Sequence, residues 1–342
     1  MSHRIRIGIA GAGFGAKAHL PALLSNPAFQ VVALASPSSA AHIARERGIE
    51  HAFGSCAQML QGCELDAVTV ASPPFVHRDD VLAALEAGKH VLCEKPFALN
   101  VSQAQEMLDA SRRAGTACGI VHEFRWVPAR QAIKEIIVNG HARPLREIEI
   151  TLLTDFLRLE GTRPRGWWFD RTRGGGIAGA WLSHVIDASN WFAARPPVRV
   201  AGFVRTANPN RHDEQGEFTS NVDDGAFALL DYGDGLVARL CADGATEQNA
   251  VTVAVHAENR TVVESGKNFV ETTLYSVDAE ETAELRCKPS PYARFAAVQA
   301  SVPFLMELYD NFAAAIEGKP NGLPTFAEAV ETQKVLAAIG YG

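Results

Sequence analysis

Between residues 4 and 122, short apolar runs alternate with helix-forming stretches, and this alternation restricts the fold more than any other feature of the chain. The runs at 4–10, 29–35, 66–71, 89–94 and 116–121 are rich in Val, Ile, Leu and Ala and have the length of buried parallel strands. Helical stretches follow Gly15 and occupy 38–47, 55–61, 74–87 and 101–114. Gly48, Gly88 and Gly115 each come after one of these, at the carboxyl-terminal cap position that glycine favours. Strand and helix alternating at this spacing require βαβ crossovers, hence one parallel sheet with helices on both faces.

Such a sheet binds ligands beyond the carboxyl ends of its strands. The first strand ends in Gly11-Ala12-Gly13-Phe14-Gly15-Ala16, a G-x-G-x-x-A dinucleotide fingerprint. Gly11 suits the tight turn, Gly13 lets backbone approach a pyrophosphate, and Ala16 lets helix pack on strand. Free N–H groups at the helix amino terminus then face the phosphates. Pro21 is expected to kink or restart that helix. The second strand runs into Ala35-Ser36-Pro37-Ser38-Ser39, where the acid that holds the ribose 2′-hydroxyl of NAD is normally found. With Ser36 there instead, nothing repels a 2′-phosphate, so NADP is favoured within an NAD(P) reading. Ser38 or Ser39 also suits a helix N-cap, and both roles can hold together.

Two further strand ends carry polar groups. Ser72-Pro73-Pro74 offers a serine and a proline suited to the first helical turn; His77 beyond it reads by itself as a helix-surface residue. Val91-Leu92-Cys93 leads into Glu94-Lys95-Pro96, where proline biases Lys95 towards an extended backbone that aims its side chain in one direction. In isolation these residues also suit an ordinary surface turn.

The 342 residues are long for one core, which predicts two domains, divided as 1–122 and 123–342. A net charge of −7 argues against nucleic acid or an anionic membrane as partner, and no apolar run has the length of a bilayer span. The amino terminus has no hydrophobic region followed by a cleavage site, and the six cysteines form no C-x-x-C pair. Reduced thiols, no metal site and a cytoplasmic location are therefore expected. Strand-like runs at 145–157, 222–232, 236–242, 250–257 and 260–264, with hairpin-like turns such as Tyr232-Gly233-Asp234-Gly235, predict a mostly antiparallel second sheet. One of its faces is rich enough in apolar residues to suit another subunit, as in a homodimer or homotetramer.

On the stretch 181–192, His184, Asp187 and Trp191 recur at i, i+3 and i+7 and share a face. Imidazole titrates near neutrality, as a group exchanging a proton with an alcohol requires, although a buried histidine satisfied by Asp187 fits the same spacing. Gly174-Gly175-Gly176 precedes this stretch. Trp167, Trp168, Arg163, Arg165, Arg171 and Arg173 form an aromatic and cationic segment before it, suited to a sugar that carries an anionic group or to a solvated loop.

Taken in order, Gly11-x-Gly13, His19-Leu20-Pro21, Ser72-Pro73-Pro74 with His77, Glu94-Lys95-Pro96, Phe124-Arg125-Trp126-Val127-Pro128, Gly174–Gly176, His184-Val185-Ile186-Asp187 and Pro324-Thr325-Phe326 resemble the Gfo/Idh/MocA oxidoreductases over nearly the whole chain. The resemblance implies an amino-terminal Rossmann domain, a carboxyl-terminal α+β domain with a large open sheet, and hydride transfer between NAD(P) and a sugar, cyclitol or related polyol. It also implies that Lys95 and His184 face the nicotinamide as catalytic residues. Candidate cofactor contacts are Gly11, Ala12, Gly13, Phe14, Gly15, Ser36, Ser72, Pro73, Pro74, His77, Glu94 and Lys95; candidate substrate contacts are Arg125, Trp168 and Asp187. The family pattern has an aspartate one helical turn before the histidine, and here that position is Ala180. This departure keeps two other functions in view: a non-catalytic dinucleotide-binding regulator, and a redox-neutral NAD-dependent enzyme of glycoside processing.

Overall fold

The computed structural model describes residues 4–158, 165–268, 271–278 and 281–342. They form two compact units. The first contains the chain up to Glu123 together with Ser290–Val330, and the second contains Phe124–Pro289 and Glu331–Gly342.

In the first unit, β1 (Ile5–Ala10), β2 (Phe29–Ala35), β3 (His51–Phe53), β4 (Ala67–Val70), β5 (His90–Cys93) and β6 (Cys118–Ile120) make one parallel sheet in the order β3-β2-β1-β4-β5-β6. The crossovers are α1 (Leu20–Ser25), α2 (Ala40–Arg47), α3 (Cys56–Gly62), α4 (Pro74–Glu86) and α5 (Val101–Ala114). Ile7, Ile9, Val68, Val70, Val91 and Leu92 are fully buried, as central strands covered on both faces must be. Pro21 lies in the first turn of α1, where its missing N–H has no role, and a π turn at Gly15–His19 carries the chain up to it. Gly48 and Gly115 close α2 and α5 with φ of 68° and 65°. The short edge strand β3 has no apolar run to announce it.

The segment after Pro289, which sequence reasoning grouped with the second half, packs in the first unit. Its helix α8 (Val302–Ile316, numbered here in chain order with the helices below) sets Tyr309 edge-on against Phe29, with ring centroids 5.4 Å apart, and stacks Phe312 on the same ring at 6.3 Å. Burial of these aromatics outweighs sequence distance.

The second unit holds α6 (Pro128–Val138), α7 (Ser183–Ala193) and β7 (Leu145–Leu153) through β16. Its strands are β8 (Arg199–Arg205), β9 (Asn210–Asp213), β10 (Gly216–Thr219), β11 (Gly225–Gly233), β12 (Leu236–Asp243), β13 (Ala250–Ala257), β14 (Thr261–Gly266), β15 (Thr272–Val277) and β16 (Thr282–Leu285). Eight of them form a sheet ordered β16-β15-β14-β13-β7-β12-β11-β8, while β9 and β10 pair separately. The large sheet is antiparallel except at β7 and β12, which run parallel in its middle. Gly233, Asp234 and Gly235 turn β11 into β12 with φ of 78°, 53° and 77°. Ile148, Ile150 and Leu152 of β7 join Ile133 of α6 and Ile186 and Phe192 of α7 in the core, with Val335 and Leu336 of the closing helix α9 (Phe326–Ala338). The opposite face exposes Phe203, Leu229, Val237 and Tyr275, interleaved with the ion pair of Arg199 with Asp231 and those of Arg239 with Glu147 and Glu149.

Candidate active site

Strand order in the first unit reverses between β1 and β4, and the crevice of an open α/β sheet lies at such a point. Gly11 continues β1 with its N–H on Ala35 O, and Ala71 and Glu94 continue β4 and β5 with theirs on Ala10 O and Val70 O. The fingerprint, Ser36, Ser72 and Glu94-Lys95 are thus the carboxyl ends of four adjacent strands. Gly11 adopts φ 107°, and a Cβ there would sit 2.2 Å from Ala71 O and 2.4 Å from Ser72 N. No other residue fits. A Cβ on Gly13 would meet nothing within 4 Å, so its backbone borders open space, as approach to a pyrophosphate demands. These residues fit a dinucleotide.

Ser36 accepts or donates a hydrogen bond with Ser39 across 3.0 Å, and no carboxylate stands between Ser36 and His42. Ser39 is the N-cap residue of α2 but makes no side-chain cap bond, so its hydroxyl serves Ser36. Ser72 Oγ donates to Asp80 Oδ2 at 2.8 Å. Burial raises the Asp80 pKa, and the Ser72 hydrogen bond opposes that rise.

His77 corrects the expectation of a helix-surface residue. It is fully buried and not on a helix surface, and its nitrogens face Ser72 O at 2.7 Å and Pro96 O at 3.0 Å. Burial lowers its pKa against the pull of those carbonyls and Glu94. The ring lies between the loops that follow β4 and β5, and a neutral imidazole donates its one N–H to one of these two carbonyls.

Glu94 is likewise turned inward. Its Oε1 accepts His19 Nε2–H at 2.9 Å and its Oε2 accepts the Lys95 main-chain N–H at 3.0 Å. Burial works to raise the Glu94 pKa, but the His19 hydrogen bond and Lys95 outweigh it and hold the carboxyl below its ordinary value. Lys95 is the one partly exposed residue between Val91 and Ala98, and the Lys95–Pro96 bond is cis.

In the second unit, a π turn at Ala178–Leu182 runs straight into α7, which carries His184. The imidazole is buried and stacks on Phe124, centroids 4.1 Å apart at 26°. Phe124 stacks on Trp181, Trp181 meets Phe156 edge-on, Phe156 meets Trp168 edge-on, and Trp168 stacks on Trp167. A continuous aromatic wall thus ends at His184. Sequence reasoning found Trp168 but missed the contributions of Phe156 and Trp181, which belong to no shared periodicity.

Arg125 and Asp187, expected as substrate contacts, pair with each other. Asp187 Oδ1 and Oδ2 accept Arg125 Nη2–H and Nε–H at 2.6 and 2.9 Å, both side chains being almost wholly buried. A bidentate pair of this kind satisfies the charge that burial would otherwise penalise. Arg165 binds the β9–β10 hairpin through Asp213 and Gly216 O, and this guanidinium holds the Asp213 carboxyl down at about 2. Arg163 lies outside the described residues.

The glycine run before α7 is anchored by Asp223, which sequence reasoning missed. A Cβ on Gly175 would sit 2.4 Å from Trp168 O, and one on Gly176, at φ 105°, 2.6 Å from Asp223 Oδ1. Asp223 Oδ2 accepts the Ala178 N–H at 2.6 Å, and Asp223 O accepts that of Ile177 at 3.0 Å. Burial pushes the Asp223 carboxyl up to about 6, with the Ala178 N–H pulling the other way. A carboxyl raised in the folded state contributes stability that is complete below its unfolded pKa of 3.8 and is lost as pH rises through about 6. Asp223→Asn keeps an oxygen for Ala178 and cannot ionise. The stability difference should therefore shift in favour of Asp223→Asn between about pH 4 and 6, by about 3 kcal/mol in all. Denaturant titrations of both proteins across that range measure it; a constant difference would show that Asp223 does not titrate there.

Sequence models of one family match both halves of the chain: the oxidoreductase family GFO_IDH_MocA, NAD-binding Rossmann fold, at residues 5–122, and the GFO/IDH/MocA C-terminal domain at residues 130–263. The chain belongs to the Gfo/Idh/MocA oxidoreductases. Among similar proteins, D-glucoside 3-dehydrogenase of Escherichia coli is 30% identical over 244 residues, 68% of each chain. Levoglucosan dehydrogenase of Pseudarthrobacter phenanthrenivorans is 26% identical over 287 residues, 76% of this chain and 73% of that one. A solved levoglucosan dehydrogenase in complex with NADH has the same fold, with a TM-score of 0.86 at 24% identity over 98% of this chain and 96% of that one. Within this Gfo/Idh/MocA member, Ala180 sits buried in the π turn.

Proposed function

We propose that this protein is an NAD(P)-dependent dehydrogenase or reductase that moves hydride between the nicotinamide and a hydroxyl or carbonyl carbon of a sugar, cyclitol or related polyol. The observation that carries this reading is Lys95, whose main chain is clamped by Glu94 at the carboxyl end of β5, beside the strand-order reversal and the open fingerprint loop. The nicotinamide, when bound, supplies an acceptor or donor of hydride at C4. The Lys95 ammonium donates a hydrogen bond to the substrate oxygen, and His184 takes the hydroxyl proton in oxidation or returns it in reduction. The aromatic wall of Trp168, Phe156 and Trp181 supports a substrate with an apolar ring face, and pyranosides have one. Dehydrogenases of levoglucosan and of D-glucosides among the relatives support the same class.

For cofactor choice, the absence of an acid at Ser36 supports acceptance of NADP at least as readily as NAD. The exposed apolar residues on the outer face of the large sheet support a homo-oligomer built on that face, which light scattering reads directly.

The test is turnover with both cofactors across a panel of pyranosides, anhydrosugars and cyclitols, alongside fluorescence titration of each cofactor. Expected are nicotinamide reduction or oxidation with at least one panel member, binding of NADPH no weaker than NADH, and a swing towards NADH in Ser36→Asp. Tight binding of cofactor with no net redox change on any member overturns the reading in favour of a regulator or a redox-neutral enzyme. A clear preference for NADH in the parent removes the argument from Ser36.

A further inference from the structure

One buried polar chain crosses the core of the first unit and ends on the Lys95 backbone. Thr69 on β4, Tyr309 on α8 and His19 in the π turn are each fully buried. Thr69 Oγ1 lies 2.9 Å from Tyr309 Oη, and Tyr309 Oη lies 2.7 Å from His19 Nδ1. His19 Nε2 lies 2.9 Å from Glu94 Oε1, and Glu94 Oε2 accepts the Lys95 N–H at 3.0 Å. The carboxylate end sets the direction of the whole chain. An ionised carboxylate only accepts, so Nε2 carries a hydrogen; in a neutral ring Nδ1 is then bare and accepts the Tyr309 O–H. The phenol oxygen in turn accepts the Thr69 O–H. Every donor has one acceptor, with none left over.

A polar chain through a core costs desolvation at every link, and apolar residues of the same shape would stabilise the unit at least as well. Its four members come from β4, α8, the first π turn and the end of β5, elements remote in sequence. What it does that an apolar core cannot is hold one carboxylate oxygen aimed at one main-chain N–H.

We propose that Tyr309 and His19 are positioning residues for Lys95, acting through Glu94 to fix the backbone from which the ammonium projects. This rests on the assignment of Lys95 to the reaction. Displacement of a reacting group by an ångström or less is enough to cost one to two orders of magnitude in rate.

The test is a cycle of Tyr309→Phe and Lys95→Ala, read as the single-turnover rate of hydride transfer, the sugar KM and NAD(P)H affinity. Tyr309→Phe deletes one hydroxyl and leaves His19 Nδ1 without its donor. Its hydride-transfer rate should fall about tenfold or more, with KM and cofactor affinity within about twofold of the parent. In the Lys95→Ala background the same change should have no effect on the residual rate, because two residues acting through one group are not additive. Thr69→Val, which removes the far hydroxyl at constant shape, should give a smaller fall with the same split, and it replaces Tyr309→Phe if that variant does not fold. Lower thermal stability with an unchanged hydride-transfer rate, or equal fold-losses in both backgrounds, overturns the inference and leaves a structural chain. Near-normal turnover of Lys95→Ala overturns the site reading itself, and the positioning role with it.

Discussion

Lys95→Ala is expected to bind NAD(P)H as the parent does and to lose turnover by about 10²–10⁴, the usual loss on removing a positioned proton-transfer group. That range corresponds to about 3–5 kcal/mol of transition-state stabilisation. Binding should survive because the dinucleotide cradle is backbone: Gly11 is fixed by its approach to Ala71 and Ser72, and Gly13 by the open space in front of it. The Glu94 clamp on the residue 95 N–H also survives, since alanine keeps its main chain. Fluorescence titration of cofactor and single-turnover absorbance separate the two properties. Near-normal turnover in Lys95→Ala removes the lysine from the mechanism.

His184→Asn is expected to cost a similar factor in rate and to abolish the acid-side limb of the pH profile of oxidation. In oxidation the unprotonated imidazole takes the hydroxyl proton as hydride leaves carbon, so the rate should fall at low pH as the ring charges. Asparagine cannot take that proton at any pH. The neighbour one turn on is committed elsewhere: Asp187 has both carboxylate oxygens on Arg125, and Ala180 supplies no carboxylate one turn back. No nearby acid on α7 is therefore placed to substitute for the histidine. Rate against pH for parent and variant decides. Retention of both rate and limb would make His184 a core residue stacked on Phe124 and send the search for the acid or base to Lys95 or to the arginine-rich segment.

Local signals carried the first sheet and the cofactor cradle into view because they are local in physics as well. A buried parallel strand needs a continuous apolar run, a helix end needs glycine past it, and a phosphate turn needs glycines at fixed offsets. Each of these is written within about ten residues. The predicted strand at 29–35 and helix at 101–114 coincide with β2 and α5. Where only three residues pair at an edge, as in β3, no such run exists to read.

Side-chain partnership was legible only in part. That His184 and Asp187 share a face follows from helix periodicity, but not that Asp187 would be taken by Arg125, 62 residues away. Nor could spacing distinguish a surface His77 from one buried between the carbonyls of Ser72 and Pro96, since that depends on two loops meeting over it.

By itself the sequence determined the alternating architecture, the glycine-lined dinucleotide turn, the family, and the two residues on which the proposed chemistry rests. All of these are encoded in short windows or in the order of short windows along the chain. The tertiary structure alone decided that Ser290–Val330 belongs with the first unit, that Asp223 anchors the glycine run before α7, and that Tyr309 links Thr69 and His19 in a buried chain reaching Glu94. The last two share one reason. A buried polar group takes whichever partner the packing brings within about 3 Å, and that partner can come from anywhere in the chain.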